Sequence, residues 1–388
     1  MRTWLRAYLT AGGRVMWGAA LISLAAGLDP YRGQLYGLFV MSLGLTVANF
    51  LIGLFMLRRL RGELRLPARA VAGSEVRMMV LVTNLSRWTT YDVEATLART
   101  LKGLSWALES PRTHLRPGQQ AGLEVRFTAL RRGAYKIGPA HVGSTYPLGI
   151  LRLSRKIGQP QTLLVTPRLH PMRNLRLHTG MRHQPGGLPM ASQQGESLEF
   201  VGVRDYRPGD SPRKIHWKLF ARRGQPVVRE FAQEYFSRIG IILDTYRPAR
   251  AQDFEAALEC VASLASFLER SDSVVDFFAA GDQLILLSMG RNQGSLESVL
   301  ETLACVQPSR RSPYAQLEAS LEPLIPRLSA LVLITLSPTP ERRAFWDRLN
   351  VAGTPVRIIC VSRQRPAAQD HDLSWIHPDQ VEAGLNEL

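Results

Sequence analysis

The amino-acid sequence predicts a multidomain fold, in which an N-terminal transmembrane helical hairpin is followed by a β-sandwich and then by an α/β domain. Three observations predict this class: a charge-free run of 22 residues near the N-terminus, short alternating strands up to residue 168, and apolar strands alternating with amphipathic helices from residue 238. At 388 residues the chain is long enough to build two or three separate hydrophobic cores.

The transmembrane hairpin is predicted in residues 1–63. Residues 36–57 carry no charge, and at about 1.5 Å per residue they cross a hydrocarbon core of about 30 Å. Residues 15–28 form a shorter apolar run, which on its own is typical of a signal-peptide core. Because a full span follows after the turn-forming sequence DPYRGQ, we interpret the shorter run as the first arm of a hairpin.

The distribution of arginine predicts the orientation of this hairpin. The loop between the two runs carries only Arg32, beside Asp29, whereas both outer flanks are basic. The flanking basic residues are Arg2, Arg6, Arg14, Arg58, Arg59, Arg61 and Arg65. The positive-inside rule therefore predicts a two-pass protein of a bacterial inner membrane, with both termini and the soluble domains in the cytoplasm.

Residues 64–168 are predicted to form a β-sandwich. Apolar and other residues alternate in EVRMMVLVTN (75–84) and in GLEVRFTAL (122–130), and turn clusters such as NLS, RPGQQ and RRG separate such runs. No periodic segment of helix length interrupts the pattern. A spacer or docking module is the role that such a domain most often has.

Residues 169–237 are predicted to be a basic linker segment, and residues 238–388 an α/β domain. The linker is irregular and rich in Gly, Pro, Arg and Gln, which is typical of a functional or mobile loop. In the α/β domain, strands are predicted at 239–244, 273–280, 284–289, 330–336 and 355–361, with helices near 254–268, 296–306, 315–328 (bent by Pro323 and Pro326) and 340–349. Continuous apolar strands that alternate with helices indicate a mostly parallel sheet covered on both faces.

The composition is basic, with 48 Lys and Arg against 32 Asp and Glu and a net charge of +16. Such a charge favours an anionic partner, which includes a lipid surface. The three cysteines, Cys260, Cys305 and Cys360, lie in apolar runs without CxxC spacing, so we expect buried thiols rather than a disulfide framework or a zinc site.

Residues 195–231, GESLEFVGVRDYRPGDSPRKIHWKLFARRGQPVVREF, carry a family resemblance. The segment resembles the signature of the domain-of-unknown-function family 58, roughly G-x-x-x-E-F, R-x-Y-x-x-G-D-x-x-R-x-I-x-W-x-x-x-A-R-x-G and V-R-E. Upstream, RRGAYKIGPAHVGSTYPLGILR (131–152) is similar to the usual lead-in of that family. The anchors present are Gly195, Glu199, Phe200, Arg204, Tyr206, Gly209, Asp210, Arg213, Ile215, Trp217, Ala221, Arg222, Gly224, Arg229 and Glu230.

The resemblance implies an architecture and a set of partners. Proteins of this family look like membrane-anchored chains whose C-terminal part resembles a von Willebrand factor A (Rossmann-like) domain. They commonly occur beside MoxR-type AAA+ ATPases and transglutaminase-like membrane proteins. The family brings no established chemistry with it, so the resemblance implies partners but no reaction.

Three interpretations of the signature are open. In the first, the segment is a structural lock, with Tyr206 and Trp217 on its apolar side and bidentate ion pairs around them. The basic members of those pairs are Arg204, Arg213, Arg222 and Arg229, and the acidic members are Glu199, Asp205, Asp210 and Glu230.

In the second interpretation, which is compatible with the first, surplus cations face a phosphate, a lipid headgroup or an acidic ATPase. These cations are Arg207, Lys214, Lys218 and Arg223, at positions that the signature leaves free. Nucleic acid is not expected, because aromatic residues do not alternate with the basic ones as stacking platforms.

In the third interpretation the segment is catalytic, with Asp210 and His216 as an acid–base pair of a hydrolase acting on an envelope or phosphate-bearing substrate. A nucleophile would come from Ser211 or Ser197, but no G-x-S-x-G elbow presents either. His216 also lies where the family usually has Asp, so an enzymatic role is not expected.

A metal site is not expected either. Von Willebrand factor A domains often bind Mg²⁺ through an Asp-x-Ser-x-Ser loop, whereas the corresponding strand here leads into Asp244-Thr245-Tyr246-Arg247-Pro248. Both serine positions are replaced, so Asp244 is a degenerate metal candidate that we expect to cap the next loop. The sequence thus predicts a membrane-anchored scaffold without a cofactor and without a P-loop of its own. The family resemblance implies that this scaffold holds a MoxR-type ATPase in membrane or envelope assembly.

Overall fold

A computed structural model describes residues 8–27, 33–97, 102–106, 111–177, 200–208, 210–231, 237–248, 250–271, 273–280, 284–290, 294–351, 354–366 and 373–388. The chain divides into two compact units. The first comprises Met1–Arg168 with Leu303–Cys305, and the second comprises Leu169–Thr302 with Val306–Leu388.

The first unit begins with two antiparallel helices, α1 (Ala11–Gly27) and α2 (Gly33–Leu57). The Trp17 ring contacts Phe39, and the Ser23 hydroxyl donates to the Leu35 carbonyl, so the helices pair in opposite directions. Among the described residues, one helix, Gln34–Leu57, is long and apolar enough to cross a membrane, and few of its residues are buried. One apolar helix that can span a membrane is therefore present near the N-terminus.

Three β-sheets follow the helices. Their strands are β1 (Leu60–Arg65), β2 (Arg69–Val71), β3 (Glu75–Asn84), β4 (Thr90–Thr96), β5 (Leu104–Trp106), β6 (Thr113–Leu115), β7 (Gln120–Ala129), β8 (Gly133–Ile137), β9 (Ala140–Ser144), β10 (Leu153–Ile157) and β11 (Gln161–Thr166). The strand orders are β1-β3-β7-β5, β10-β9-β4-β6 and β2-β11-β8. The first strand begins at Leu60, ahead of the residue 64 at which the sequence placed the start of this domain.

One hydrophobic core joins the three sheets. Alternate side chains of β3 (Val76, Met78, Val80 and Val82) are almost completely buried, and they pack with Phe127 of β7 and with residues of β4, β9 and β11. The alternation predicted from the sequence is therefore the alternation of core and solvent along each strand.

The second unit contains a β-hairpin and a six-stranded sheet. The hairpin is β12 (Phe200–Asp205) with β13 (Val227–Phe231), and between its strands lie a 3-10 turn (Pro212–Lys214) and the helix α3 (Trp217–Arg223). Regular structure in residues 200–231 differs from the irregular linker that the sequence predicted. The segment 178–197, HTGMRHQPGGLPMASQQGES, lies outside the described residues.

The six-stranded sheet has the order β16-β15-β14-β17-β18-β19, and only β16, at one edge, is antiparallel. Its elements are β14 (Arg238–Leu243), α4 (Ala251–Glu269), β15 (Val274–Ala280), β16 (Leu284–Met289), α5 (Leu296–Cys305), α6 (Tyr314–Leu321), β17 (Ala330–Thr335), α7 (Pro340–Val351), β18 (Val356–Val361), β19 (Leu373–Ile376) and α8 (Val381–Asn386). Five strands lie within about one residue of their predicted bounds, whereas β19 and α8 were not predicted. The predicted helix 315–328 ends at Leu321, because Pro323 and Pro326 interrupt it.

The structure differs from two further predictions, on the linker and on the cysteines. Residues 169–177 are not a free linker: His170 Nε2 lies 2.9 Å from a Glu259 carboxylate oxygen on α4, and the Arg176 amide donates to the Leu388 carbonyl. Cys260 and Cys360 are buried as expected, but the expectation is wrong for Cys305, which is exposed at the last position of α5.

Candidate functional site

The signature segment is organised by one bidentate ion pair. Arg204, at the end of β12, donates from Nη1 and Nη2 to the two carboxylate oxygens of Asp210, at 2.7 and 2.8 Å. The backbone amide of Arg207 donates to the same carboxylate at 2.9 Å, so the turn 204–210 closes on itself. The guanidinium of Arg204 and the amide of Arg207 together lower the pKa of Asp210 to about 2.

The helix α3 is short and is capped at both ends. The Nδ1 atom of His216 accepts from the Leu219 amide at 3.2 Å, and Gly224 ends the helix with a φ of 72°, a left-handed conformation that favours glycine. The His216 amide also donates to the Val227 carbonyl, which fixes the start of α3 on β13. His216 is thus a helix cap, and α3 is held beside the hairpin.

Residues 207–223, which we name the basic segment, expose their cations. Arg207, Arg213, Lys218, Arg222 and Arg223 are all exposed, and no ion pair involving them is found among the described residues. Trp217 is 59% exposed, and among the described residues its ring has Phe220 as its one aromatic neighbour. Lys218 and Arg222 are four residues apart on α3 and therefore share a helix face.

The structural lock predicted from the sequence is found only in part. Of its predicted pairs, Arg204 with Asp210 is present, whereas Arg213, Arg222 and Arg229 extend into solvent in the described structure. Trp217 is exposed rather than packed on an apolar side, because α3 has no buried residue and covers no core; Tyr206 is half-buried. Glu199 and the side chains of Lys214 and Glu230 lie outside the described residues.

Asp210 and His216, the predicted acid–base pair, are each engaged elsewhere. Asp210 is bound to Arg204 and the Arg207 amide, and His216 caps α3. These two side chains make no hydrogen bond with each other. The catalytic interpretation stays a prediction that this geometry does not favour.

A second cluster surrounds Asp244, directly after β14. Its carboxylate is 2% exposed and accepts from Arg342 Nε at 2.6 Å, from the Thr335 hydroxyl at 3.0 Å and from the Tyr246 amide at 2.9 Å. The Tyr314 hydroxyl lies 3.4 Å from both carboxylate oxygens. Burial and the negative charge of Asp244 raise the pKa of Tyr314 above its ordinary range, so this hydroxyl stays protonated and donates.

The Arg342 guanidinium completes this cluster. Besides Asp244, it donates to the Ser337 carbonyl at 3.0 Å and to the Tyr246 carbonyl, and Arg342 is only 3% exposed. Burial on its own lowers the pKa of an arginine, but the Asp244 carboxylate raises the pKa of Arg342 above its usual value. Asp244 and Arg342 therefore form a buried ion pair.

The residues around Asp244 do not fit a divalent cation. A small hard cation needs several free oxygen ligands around it, and here a guanidinium already holds the carboxylate while Tyr246 and Pro248 replace the expected hydroxyls. Groups of three or more His, Cys, Asp or Glu that could hold a metal are absent from the part of the chain that the structure describes.

Arg342 was not among the predicted site residues, although the sequence carries a signal for it. Residues 342, 345, 346 and 349 follow the i, i+3, i+4, i+7 spacing of one helix face, and Phe345, Trp346 and Leu349 of that face are buried. An arginine on an apolar stripe must be paired when it is buried. The spacing of the stripe thus pointed to a buried charge, and Asp244 is its partner.

Comparison with solved structures yields only weak likenesses. Alpha-2-macroglobulin from Escherichia coli, from domain MG7 to the C-terminus, is 21% identical, with 29% of this chain and 19% of that chain covered and a TM-score of 0.23. The cupredoxin domain of amoB from Nitrosocaldus yellowstonii is 10% identical, with 28% and 87% covered and a TM-score of 0.21. Scores this low support no inference about function.

Sequence comparison is more informative. The uncharacterized protein YeaD of Bacillus subtilis (strain 168) is 21% identical over 196 residues. This match covers 50% of the chain and 48% of YeaD, so it spans about half the length of that relative. Residues 202–367, which contain both the basic segment and the Asp244 cluster, match the family described as protein of unknown function DUF58.

Proposed function

We propose that the protein is a two-pass membrane-anchored scaffold whose basic segment binds an acidic surface of a partner protein. The apolar helix α2, its antiparallel partner α1 and the basic flanks of both support the anchor. The same arginine distribution supports cytoplasmic soluble units and an inner-membrane location.

The sheet of the second unit supports a von Willebrand factor A-like domain that follows a β-sandwich in the sequence. Numbered along the chain within this sheet alone, the strands lie in the order 3-2-1-4-5-6, the order of doubly wound α/β folds, with the third strand antiparallel at the edge. In place of a metal at the end of the first strand, Arg342 neutralises Asp244. Such a domain would present a surface instead of holding a cation.

The observation that carries the proposal is the exposure of the basic segment. Trp217 is 59% exposed beside exposed cations on a helix that has no fully buried residue, although the helix is firmly capped and held on the hairpin. Exposed tryptophan and arginine are the side chains that most often dominate protein interfaces. A MoxR-type AAA+ ATPase is the partner that the family resemblance implies, and a transglutaminase-like membrane protein would complete the assembly.

The experiment measures binding between the full chain, solubilised in mild detergent, and a purified MoxR-type ATPase from the same organism. We expect the double variant Lys218→Glu/Arg222→Glu to weaken binding by about tenfold or more, because both charges share one helix face. The matched control is Arg310→Glu/Arg343→Glu, which reverses two exposed charges elsewhere in the same unit. No binding by the wild-type chain, or equal losses in both variants, would contradict the proposal.

A further inference from the structure

The loop that precedes β10 lies against α2 well before that helix ends. The Asn49 Oδ1 atom accepts from the amides of Leu148 and Ile150, each at 3.3 Å, and Asn49 is completely buried. Asn49 lies eight residues before Leu57, the last residue of α2, which is about 12 Å along the helix axis. From there β10 follows the helix to its end, where Arg155 donates to the Leu57 carbonyl.

This position sets the depth of the loop. From Gln34 to Asn49 the helix is about 22 Å long, which is less than the hydrocarbon core of about 30 Å that a spanning helix must cross. The span therefore has to continue beyond Asn49, and the loop at residues 146–151 lies beside membrane-embedded turns of α2. If α2 crosses a bilayer, this loop enters it.

Several backbone groups of the loop are bonded within the protein. The Gly149 amide donates to the Thr145 carbonyl at 2.8 Å, and the Ile150 carbonyl accepts from the Thr10 amide at 3.1 Å. The amides of Leu148 and Ile150 are satisfied by Asn49. Irregular backbone at membrane depth is tolerated only where its polar groups have protein partners.

Exposed apolar side chains cluster at the end of the sheets that lies beside the loop 146–151 and the C-terminal end of α2. We name Leu85, Trp88, Tyr91, Tyr146 and Leu148 the apolar rim; they are five of the eight large hydrophobic residues that are exposed within the described part of 60–168. The rings of Tyr91 and Tyr146 stack with centroids 4.9 Å apart. The Leu85 amide donates to the Arg59 carbonyl, just past α2, so both rim loops lie beside the end of the helix.

Basic residues border the apolar rim. Arg58, Arg59 and Arg87 are exposed and form no ion pair with any described residue. Tryptophan and tyrosine are enriched at membrane–water interfaces, and arginine there attracts anionic headgroups. The order of apolar helix, aromatic rim and free arginines is the order of a bilayer from its core to its surface.

We infer that the apolar rim is a lipid-binding surface, which seats the first unit in the leaflet at the C-terminal end of α2, with Arg58, Arg59 and Arg87 at anionic headgroups. The inference rests on the membrane anchor of the proposed function. Beyond that anchor, the inference states that the first unit lies on the membrane surface and does not merely hang from α2 in water. The surface that holds it there is built from loops far apart in sequence.

Spin labels on the full chain in vesicles of phosphatidylcholine and phosphatidylglycerol test this surface. In a Cys305→Ser background, Leu148→Cys is labelled, and Trp88→Cys serves as a second rim position should the first disturb folding. We expect both labels to be accessible to oxygen and shielded from a water-soluble nickel reagent. The control is Leu130→Cys, since Leu130 is 57% exposed at the opposite end of β7, about 30 Å away along the strand; its label should remain in water.

A label at Leu43→Cys, midway along α2, separates the two possible failures. If Leu43 lies deep in lipid while the rim labels are as accessible to nickel as Leu130, the rim inference is wrong and the anchor stands. If Leu43 is also in water, the anchor and the inference both fail. Rim labels that are shielded only after a partner protein is added would assign the surface to protein and overturn the lipid inference.

Discussion

Replacing Arg342 with Met should destabilise the second unit by about 3–5 kcal/mol, the usual cost of removing one partner of a buried ion pair. Methionine retains much of the apolar stem of arginine and removes the charge, so the loss reports the pair and not a cavity. The substitution leaves Asp244, 2% exposed, with the hydroxyl and amide donors of Thr335, Tyr314 and Tyr246 alone. It also takes a donor from the Ser337 carbonyl.

The rate at which a thiol reagent labels the buried Cys360 is the sharpest measure of this loss of stability. Cys360 is buried and its thiol contacts the Leu336 carbonyl, and burial raises the pKa of Cys360 to about 11, so a thiol reagent reaches it only when this region opens. A loss of about 3–5 kcal/mol should speed the labelling of Cys360 by about two to three and a half powers of ten. Peptide mass spectrometry separates this thiol from the exposed Cys305 and the buried Cys260.

Two variants complete the design. Arg348→Met lies on the same helix and removes an exposed pair with Glu318, with 53% of the arginine side chain accessible, so it should cost about 0–1 kcal/mol. Adding Asp244→Asn to Arg342→Met removes the unpaired charge and should recover part of the stability. Equal labelling rates for Arg342→Met and Arg348→Met would refute the claim that the buried pair stabilises this unit.

Three further outcomes are expected. Asn49→Ala should lower the melting temperature of the detergent-solubilised chain, because it leaves two loop amides unsatisfied at a cost of about 1–3 kcal/mol each. The control is Ser42→Ala, which removes only a hydrogen bond within α2. Equal shifts in melting temperature for both variants would contradict the claim that Asn49 holds the loop on the helix. The pKa of Asp210 is lowered from 3.8 to about 2, so its ionised form stabilises the turn, and this stabilisation is lost as the pH falls from about 4 to about 2. In that pH range the amides of residues 204–210 in the wild-type chain should therefore exchange faster, relative to their intrinsic exchange rates, than they do above it. Asp210→Asn should lack this change, and its persistence would contradict the assignment. Magnesium at millimolar concentration should leave the melting temperature unchanged; a rise that Asp244→Ala abolishes would restore the metal hypothesis.

The central strands of the second unit were predictable because they are apolar along their whole length. The strand β17 is buried at all six positions, and β14 is buried at every position after its first. The edge strand β19 was missed because Leu373–Ile376 is short and only its last residue is fully buried. An edge strand with one covered face leaves little hydrophobic signal.

The candidate sites were predictable only in part, for a different reason. The family signature located the basic segment, and the pair of Arg204 with Asp210 was among the expected pairs. Spacing could not reveal that Trp217 is exposed, because the exposure depends on α3 having no core to cover. The partner of Asp244 comes from almost 100 residues later in the chain, and such a contact requires the fold itself.

The position of β14 at the centre of the sheet has a consequence for synthesis. This strand pairs with β15 and β17, and the register that joins Ile239 to Ala330 cannot form until some 90 more residues have been made. At about 5–20 residues per second, the ribosome needs about 5–18 s for that stretch. During this time β14, one of the most apolar strands of the chain, lacks its partner β17. We therefore expect chaperones to bind nascent chains at this stage of synthesis.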